Sequence, residues 1–277
     1  MPRHRRCALF ALSLLLAACA DAGGILAPLP NDRPAHPGFD TSVYPGDAAM
    51  RAWAAPNSPY EWAGYYLAAP CHGNTSWLGH RAFLGSLGWG TALLYVGQQT
   101  WEGVATAQLT TPAPPATARV AQSATCSRTM LSGAQGTIEG SDAAAKTANE
   151  GFPAGTVIFL DIEYMSTITQ PMRDYYRSWV AQVLADGRYL PGIYCHKSNA
   201  AAIHADVNEE FLTRRPTATP QFWIAGTTGF SLDRVPTDVG HPFANVWQGK
   251  LDTDETWNGV ALHIDVNVAD TRAPSGR

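Results

Sequence analysis

Apolar residues along this chain fall into short, separated runs. The most telling is Val157-Ile158-Phe159-Leu160, introduced by a turn at Pro153 and Gly155 and ended by Asp161-Ile162-Glu163-Tyr164. A compact run of β-formers without polar alternation predicts a strand buried on both faces, as in a parallel sheet. Similar runs predict strands at Pro37–Ser42, Trp62–Ala68, Thr91–Gly97, Pro191–Cys195, Gln221–Ala225, Asn245–Gln248 and Leu262–Val268. Helical spacing appears between them. Asp47 can cap a helix running to Ala55, with Met50, Trp53 and Ala54 on one face; Ser76–Leu87 is amphipathic, and Asp142–Asn149 is helical. Gln170–Asp186 places Tyr176, Trp179, Val180, Val183 and Leu184 on an apolar face and is closed by Gly187, while Ala200–Leu212 is helical in part. Between Ala105 and Gly140, Thr, Ala, Pro, Ser and Gly dominate, which predicts a long excursion over one face.

Eight strands with helices between the first five or six predict an α/β protein: an irregular TIM-type (β/α) barrel over residues 37–270, with a tail at 271–277. The final gaps, Gly249–Ala261 in particular, are too short for crossover helices, so outer helices should be missing near the C-terminal end. A doubly wound open sheet is the alternative, but no Gly-rich phosphate loop follows the first strand. A length of 277 residues suits one such barrel, and a net charge of −4 argues against a nucleic-acid partner.

The first residues change the picture of where the protein works. Arg3, His4, Arg5 and Arg6 precede an apolar stretch, Ala8–Ala18, that is too short for a mature membrane span. Its end, Leu16-Ala17-Ala18-Cys19, resembles the bacterial lipoprotein lipobox. The resemblance implies a signal peptide over residues 1–19, a lipidated Cys19, and an extracytoplasmic protein anchored to the membrane (the outer membrane in a didermic cell). Ordinary signal cleavage is the alternative. Residues 20–36, rich in Gly, Pro, Ala and Asp, read as a tether.

Candidate chemistry gathers where the strands end. Side chains alternate along a strand, so Asp161 and Glu163 share one side, roughly 6 to 7 Å apart. Two acids so placed push one pKa upward, and paired carboxylates with separated pKa values serve glycosidic-bond cleavage. A salt-bridged or solvated pair is the simpler reading. Against it, Asp40 and Asp265 also fall at strand ends, so three strands deliver acids to one mouth. In the catalytic reading Asp161, lying deeper, stays ionised with a hydrogen bond from Asn267 or a tyrosine, and its charge holds Glu163 protonated. Aromatic faces bind sugar rings, so Tyr66, Tyr95, Tyr164, Tyr194, Trp223 and Trp247, together with Gln98, are candidates for substrate contact.

Gly38-Phe39-Asp40-Thr41-Ser42, Leu160-Asp161-Ile162-Glu163, Gly192-Ile193-Tyr194, Trp223-Ile224-Ala225, Val246-Trp247-Gln248 and Ile264-Asp265-Val266-Asn267 occur in the order seen in muramidases of glycoside hydrolase family 25. The domain is still more similar to a related glycoside-hydrolase-like domain of unknown function, through Gly97-Gln98-Gln99 and Gly151-Phe152-Pro153-Ala154-Gly155. The resemblance implies Glu163 as general acid, Asp161 beside it, Asp40 and Asp265 flanking the cleft, and a peptidoglycan-like glycan whose N-acetyl group can assist. Two stretches depart from the muramidase pattern. Leu67-Ala68-Ala69-Pro70 lacks a nearby acid, and Tyr44-Pro45 replaces a polar, Gln-rich opening. A non-catalytic glycan-binding protein using the same acidic cleft, and an envelope structural protein, are the competing functions.

Cys71 and Cys126 lie in loop contexts suited to a disulfide in an oxidising compartment, which leaves Cys195 as a thiol. Its neighbour His196 points to the opposite face, which disfavours a Cys–His nucleophile. His72, His204, His241 and His263 lack zinc spacing, although His263 shares a strand face with Asp265. The sequence therefore predicts no metal and no cofactor.

Overall fold

A computed structural model describes residues 35–101 and 125–276. The expected signal peptide, Cys19, nearly all of the expected tether, and the expected excursion up to residue 124 lie outside the described residues. Strands β1 (His36–Asp40), β2 (Trp62–Tyr66), β3 (Gly90–Val96), β4 (Val157–Ile162), β5 (Leu190–His196), β6 (Gln221–Ala225), β7 (Ala244–Trp257) and β8 (Val260–Ala269) close into a barrel in sequence order. The first seven are parallel to their neighbours, whereas β8 runs antiparallel to both β7 and β1.

Among the described residues, five α-helices cover the first part of the wall: α1 (Asp47–Ala54), α2 (Arg81–Ser86), α3 (Gly133–Asn149), α4 (Gln170–Asp186) and α5 (Lys197–Arg214). Only a 3₁₀ turn, Pro236–Val239, joins β6 to β7. A tight turn at Asn258 and Gly259, both with positive φ (48° and 80°), joins β7 to β8. Such turns match the twist of a hairpin. The outer helices are thus missing where the short gaps predicted, and β7 and β8 extend as an antiparallel hairpin well beyond the expected strand ends.

Several boundaries differ from the sequence reading. Helix α3 begins at Gly133, nine residues before the expected Asp142. Its glycines, which read as breakers, are contact points instead. A Cβ on Gly136 would sit 2.1 Å from the Tyr175 carbonyl oxygen, and one on Gly140 2.8 Å from that of Trp179. Close approach to α4 outweighs the entropic cost of glycine in a helix. Helix α2 is shorter than predicted, and α5 begins earlier. Within the tail expected at 271–277, residues up to 276 are described. Ser275 is fully buried; its amide donates to Thr91 O (2.9 Å), its hydroxyl accepts from Leu93 N (2.7 Å), and its carbonyl accepts from Val157 N (2.9 Å).

The barrel interior is filled by side chains from alternate positions. Trp62 and Phe159 both meet Trp223 edge-on, at 5.5 and 5.7 Å between ring centroids. Gly38 makes room for this layer, since a Cβ there would lie 2.0 Å from the Trp62 ring. The acids rest on this aromatic floor. Among the described residues, no helix is long and apolar enough to cross a membrane.

Candidate active site

Asp40 is the last residue of β1 and stands directly across the ladder from Asp265 on β8. Asp161 lies near the end of β4, beside Tyr194 of β5. Glu163 follows one residue after the strand and is exposed at the rim. The four predicted acids therefore meet at the end of the barrel where the parallel strands finish. Tyr194 shows how closely they converge: burial, then Glu163, Asp161, Asp40 and Asp265, all raise its hydroxyl pKa.

A layer of neutral donors sorts these charges. Tyr66 donates to Asp40 Oδ1 (2.7 Å), while Asn267 Nδ2 and Gln248 Nε2 donate to Asp40 Oδ2 (2.8 and 2.9 Å). The same Gln248 nitrogen reaches Asp265 Oδ2 (3.2 Å), and the Tyr194 hydroxyl donates to Gln248 Oε1 (2.7 Å), which fixes the amide orientation. Asp265 Oδ1 also accepts from the backbone of Asp252 (2.7 Å). Trp223 Nε1 donates to Asn267 Oδ1 (2.9 Å) and so ties the floor to the acid layer.

Burial decides the proton affinities. Desolvation raises Asp40 although its three donors pull the other way. Asp265 is pushed up to about 8, first by desolvation and then by Asp40. Asp161 is raised well above the ordinary carboxylate range, by burial and then by Glu163 and Asp40. Its Oδ1 is buried without a hydrogen-bond partner. This corrects the expectation that Asp161 stays ionised. Asn267 and Tyr66 both donate to Asp40 instead, so nothing offsets the desolvation of Asp161, and burial favours its protonated form.

The other predicted contacts divide by strand parity. Tyr66 and Tyr194 face the acids, and Tyr164 is exposed at the rim, edge-on to His196 at 5.1 Å. Tyr95 and Trp247 face out of the barrel. Tyr95 donates to Asp142 Oδ2 (2.8 Å) under α3, and Trp247 donates to Gly226 O (2.5 Å) against the Phe230 ring. Both belong to the layer between wall and cover, because their neighbours Leu94 and Gln248 take the inward positions. Trp223 is fully buried below the acids, and Gln98 is buried on the α3 side. These four residues make no mouth.

Cys71 and Cys126 form the predicted disulfide, with Cα atoms 5.0 Å apart. Cys195 is buried with its thiol pKa raised by desolvation, and His196 instead bonds the Ser198 hydroxyl at the start of α5 (2.8 Å). His263 bonds Asp254 (2.7 Å) on the hairpin rather than Asp265. His72, buried and tilted against the Tyr66 ring at 4.9 Å, is pushed down to about 4 and is a neutral wall of the mouth. Among the described residues, no group of three or more His, Cys, Asp or Glu side chains is placed to hold a metal. Gln248 and Gln99 are the site residues that sequence reasoning missed. Both stood inside motifs already singled out, but an amide carries no charge to mark it.

Comparison with known proteins places this geometry. A family model described as "Rv2525c-like, glycoside hydrolase-like domain" matches residues 51–269. Among solved structures, an uncharacterized B. stearothermophilus protein is similar at TM-score 0.54 and 16% identity, covering 86% of this chain and 97% of that one. The Clostridium perfringens spore cortex lytic enzyme SleM is similar at TM-score 0.51 and 14% identity, covering 88% and 68%. The Streptococcus pneumoniae autolysin LytC, in complex with a synthetic peptidoglycan ligand, gives TM-score 0.50 and 11% identity, covering 84% of this chain but 46% of that one. At such identities the likeness is one of fold. No curated protein matches the sequence.

Proposed function

The chain belongs to the Rv2525c-like family of glycoside hydrolase-like domains, and from that premise we propose that it hydrolyses a cell-envelope glycan by acid catalysis at Glu163. The observation that carries the reading is the convergence of Asp40, Asp161, Asp265 and Glu163 at one end of the barrel, with three of the four raised in pKa by burial. A salt bridge would have lowered those values; a site that handles protons raises them. Glu163 stands at the rim, where a glycosidic oxygen can reach it. Its proton passes to that oxygen as the bond to the anomeric carbon breaks. A water oxygen, either directly or by displacing the substrate's own N-acetyl oxygen, forms the new bond at that carbon and returns a proton to Glu163. Positive charge developing on the sugar ring is met by Asp40, the acid whose three hydrogen-bond donors favour its ionised form. Asp161, neutral through burial, offers an O–H at the foot of the mouth.

Peptidoglycan is the proposed substrate class. Two proteins of this fold, a spore cortex lytic enzyme and an autolysin crystallised with a synthetic peptidoglycan ligand, support that choice. One observation favours a second reading, glycan binding without cleavage: Asp40 already accepts three hydrogen bonds from within the protein. The deciding experiment incubates the purified domain with peptidoglycan and defined glycans and measures new reducing ends. Cleavage abolished by Glu163→Gln supports hydrolysis. Binding without cleavage at any pH supports the second reading.

We also propose that residues 1–19 direct export and that Cys19 carries the lipid anchor. The mass of the native N-terminus tests this, and an unmodified start beyond Cys19 would overturn it.

A further inference from the structure

The acid pair on β4 depends on a residue of another strand. Backbone pairing between β3 and β4 ends at Val96 and Asp161. In a parallel ladder the next step needs one β3 residue opposite Ile162, whose N–H reaches the Asp161 carbonyl and whose C=O receives the Glu163 N–H. β3 has already turned away. A Cβ on Gly97 would lie 2.2 Å from the Tyr175 hydroxyl, and that hydroxyl accepts from Gln98 N (3.1 Å). The Gln99 side chain fills the gap. Its Nε2 donates to Asp161 O (2.8 Å), and its Oε1 accepts from Glu163 N (3.0 Å). A primary amide carries the same donor and acceptor as a peptide group, so it continues the ladder by one step.

Gln98, the adjacent residue, points the other way and braces this arrangement from behind. Its Nε2 donates to Glu139 Oε1 (2.6 Å) and to Thr125 O (2.8 Å), and its Oε1 accepts from Ser127 N (2.9 Å). Tyr175 donates to the other oxygen of Glu139. Between Thr125 and Ser127, Cys126 is bonded to Cys71. Both glutamines are almost wholly buried, so neither bond set competes with water.

We propose that Gln99 is the positioning residue of the acid pair: its amide stands in for the missing ladder residue of β3 and sets where Glu163 stands relative to Asp161. Its effect on turnover rests on the hydrolytic reading; its effect on placement does not.

Two variants test it. Gln99→Met keeps the length and loses the amide. Gln99→Glu keeps the acceptor and, when protonated, regains the donor. The Asp161 and Gly97 carbonyl oxygens, which the Gln99 Nε2 meets at 2.8 and 3.3 Å, favour that protonated form. In Gln99→Met, hydrogen exchange at the Glu163 amide should quicken by about 10-fold or more while Val157–Leu160 stay protected. Carboxyl-carbon NMR should show Asp161 titrating at lower pH. Turnover should fall about 10- to 100-fold with KM little changed, the signature of misplacement rather than lost binding. Gln99→Glu should recover activity as pH falls. Wild-type exchange at Glu163 in Gln99→Met would overturn the proposal, as would unchanged turnover in an active enzyme. Should the wild type cleave no glycan, the hydrolytic reading fails, and exchange and titration still decide the placement. If Gln99→Met does not fold, recovery of Gln99→Glu activity relative to the wild-type pH profile as pH falls, or Glu163 protection relative to the unfolded exchange rate that rises at low pH in Gln99→Glu and not in the wild type, carries the same decision.

Discussion

At the end where the barrel strands begin, charges are matched. His36 bonds Glu61 at 3.0 Å, Arg272 Nε reaches the same carboxylate at 2.7 Å, and Trp62 Nε1 donates to the His36 carbonyl (2.9 Å). Ser275 plugs the adjoining edge with three hydrogen bonds. At the opposite end, carboxyl groups face one another, Asp161 Oδ1 has no partner, and the nearest bonded neighbours are neutral. The strands are the same. The contrast shows that one end is arranged for stability and the other carries unfavourable electrostatics that a ligand or a reaction can relieve.

Substitutions at the two ends should therefore act in opposite senses. On the proposed hydrolytic reading the largest effect is expected at the rim: Glu163→Gln should lower turnover by about 10²- to 10⁴-fold, the usual contribution of a general acid, and leave the melting temperature nearly unchanged. Next comes the covalent brace of the mouth. The disulfide spans a sequence separation of 55, so replacing Cys71 and Cys126 with Ser should cost about 4 kcal/mol in denaturant unfolding by the chain-entropy model. At the closed end, Glu61→Ala strands His36 and Arg272 and should cost about 2 kcal/mol, with turnover unaffected. Asp161→Asn should do the reverse, raising stability at neutral pH by about 1 kcal/mol while impairing turnover. A loss of stability there would break the comparison.

The most gradual effect is the pH dependence. Asp265 keeps its proton up to about 8 in the folded protein, whereas the unfolded chain releases it near the ordinary value of about 4. Between those limits the folded state binds more protons, so stability should fall as pH rises from about 4 to about 8 and level off beyond. Asp265→Asn should flatten that slope in thermal melts followed across the same range.

The chain announced its strands and the acids that end them because period and charge are local properties. Val157–Leu160 followed by Asp161 and Glu163 needed no partner to be legible. Facing was harder. Tyr95 and Trp247 sit in runs apolar on both sides, where parity cannot be read until a neighbour such as Gln248 is seen to point inward. The start of α3 was hidden because Gly136 and Gly140 are breakers unless another helix lies against them. The protonation of Asp161 escaped for a similar reason. Tyr66 and Asn267 were visible as donors, but which acid they serve is decided by packing between β1, β2 and β8. Gln99 was quoted within a motif, yet its partners are 62 and 64 residues away.

The antiparallel closure of β8 onto β1 also sets the order in which the protein can be made. His36 pairs with Ala269 and Asp40 with Asp265, so the first strand waits on the last for one of its two ladders. Until the hairpin of β7 and β8 has left the ribosome, β1 and β6 are both open edges, and Ser275 cannot yet seal β3 and β4. Contacts this distant in sequence are slow to form, and exposed edges invite pairing with other chains. Barrel closure is thus the late step of folding, and a chain cut short before residue 244 should aggregate through those two edges rather than form a smaller barrel.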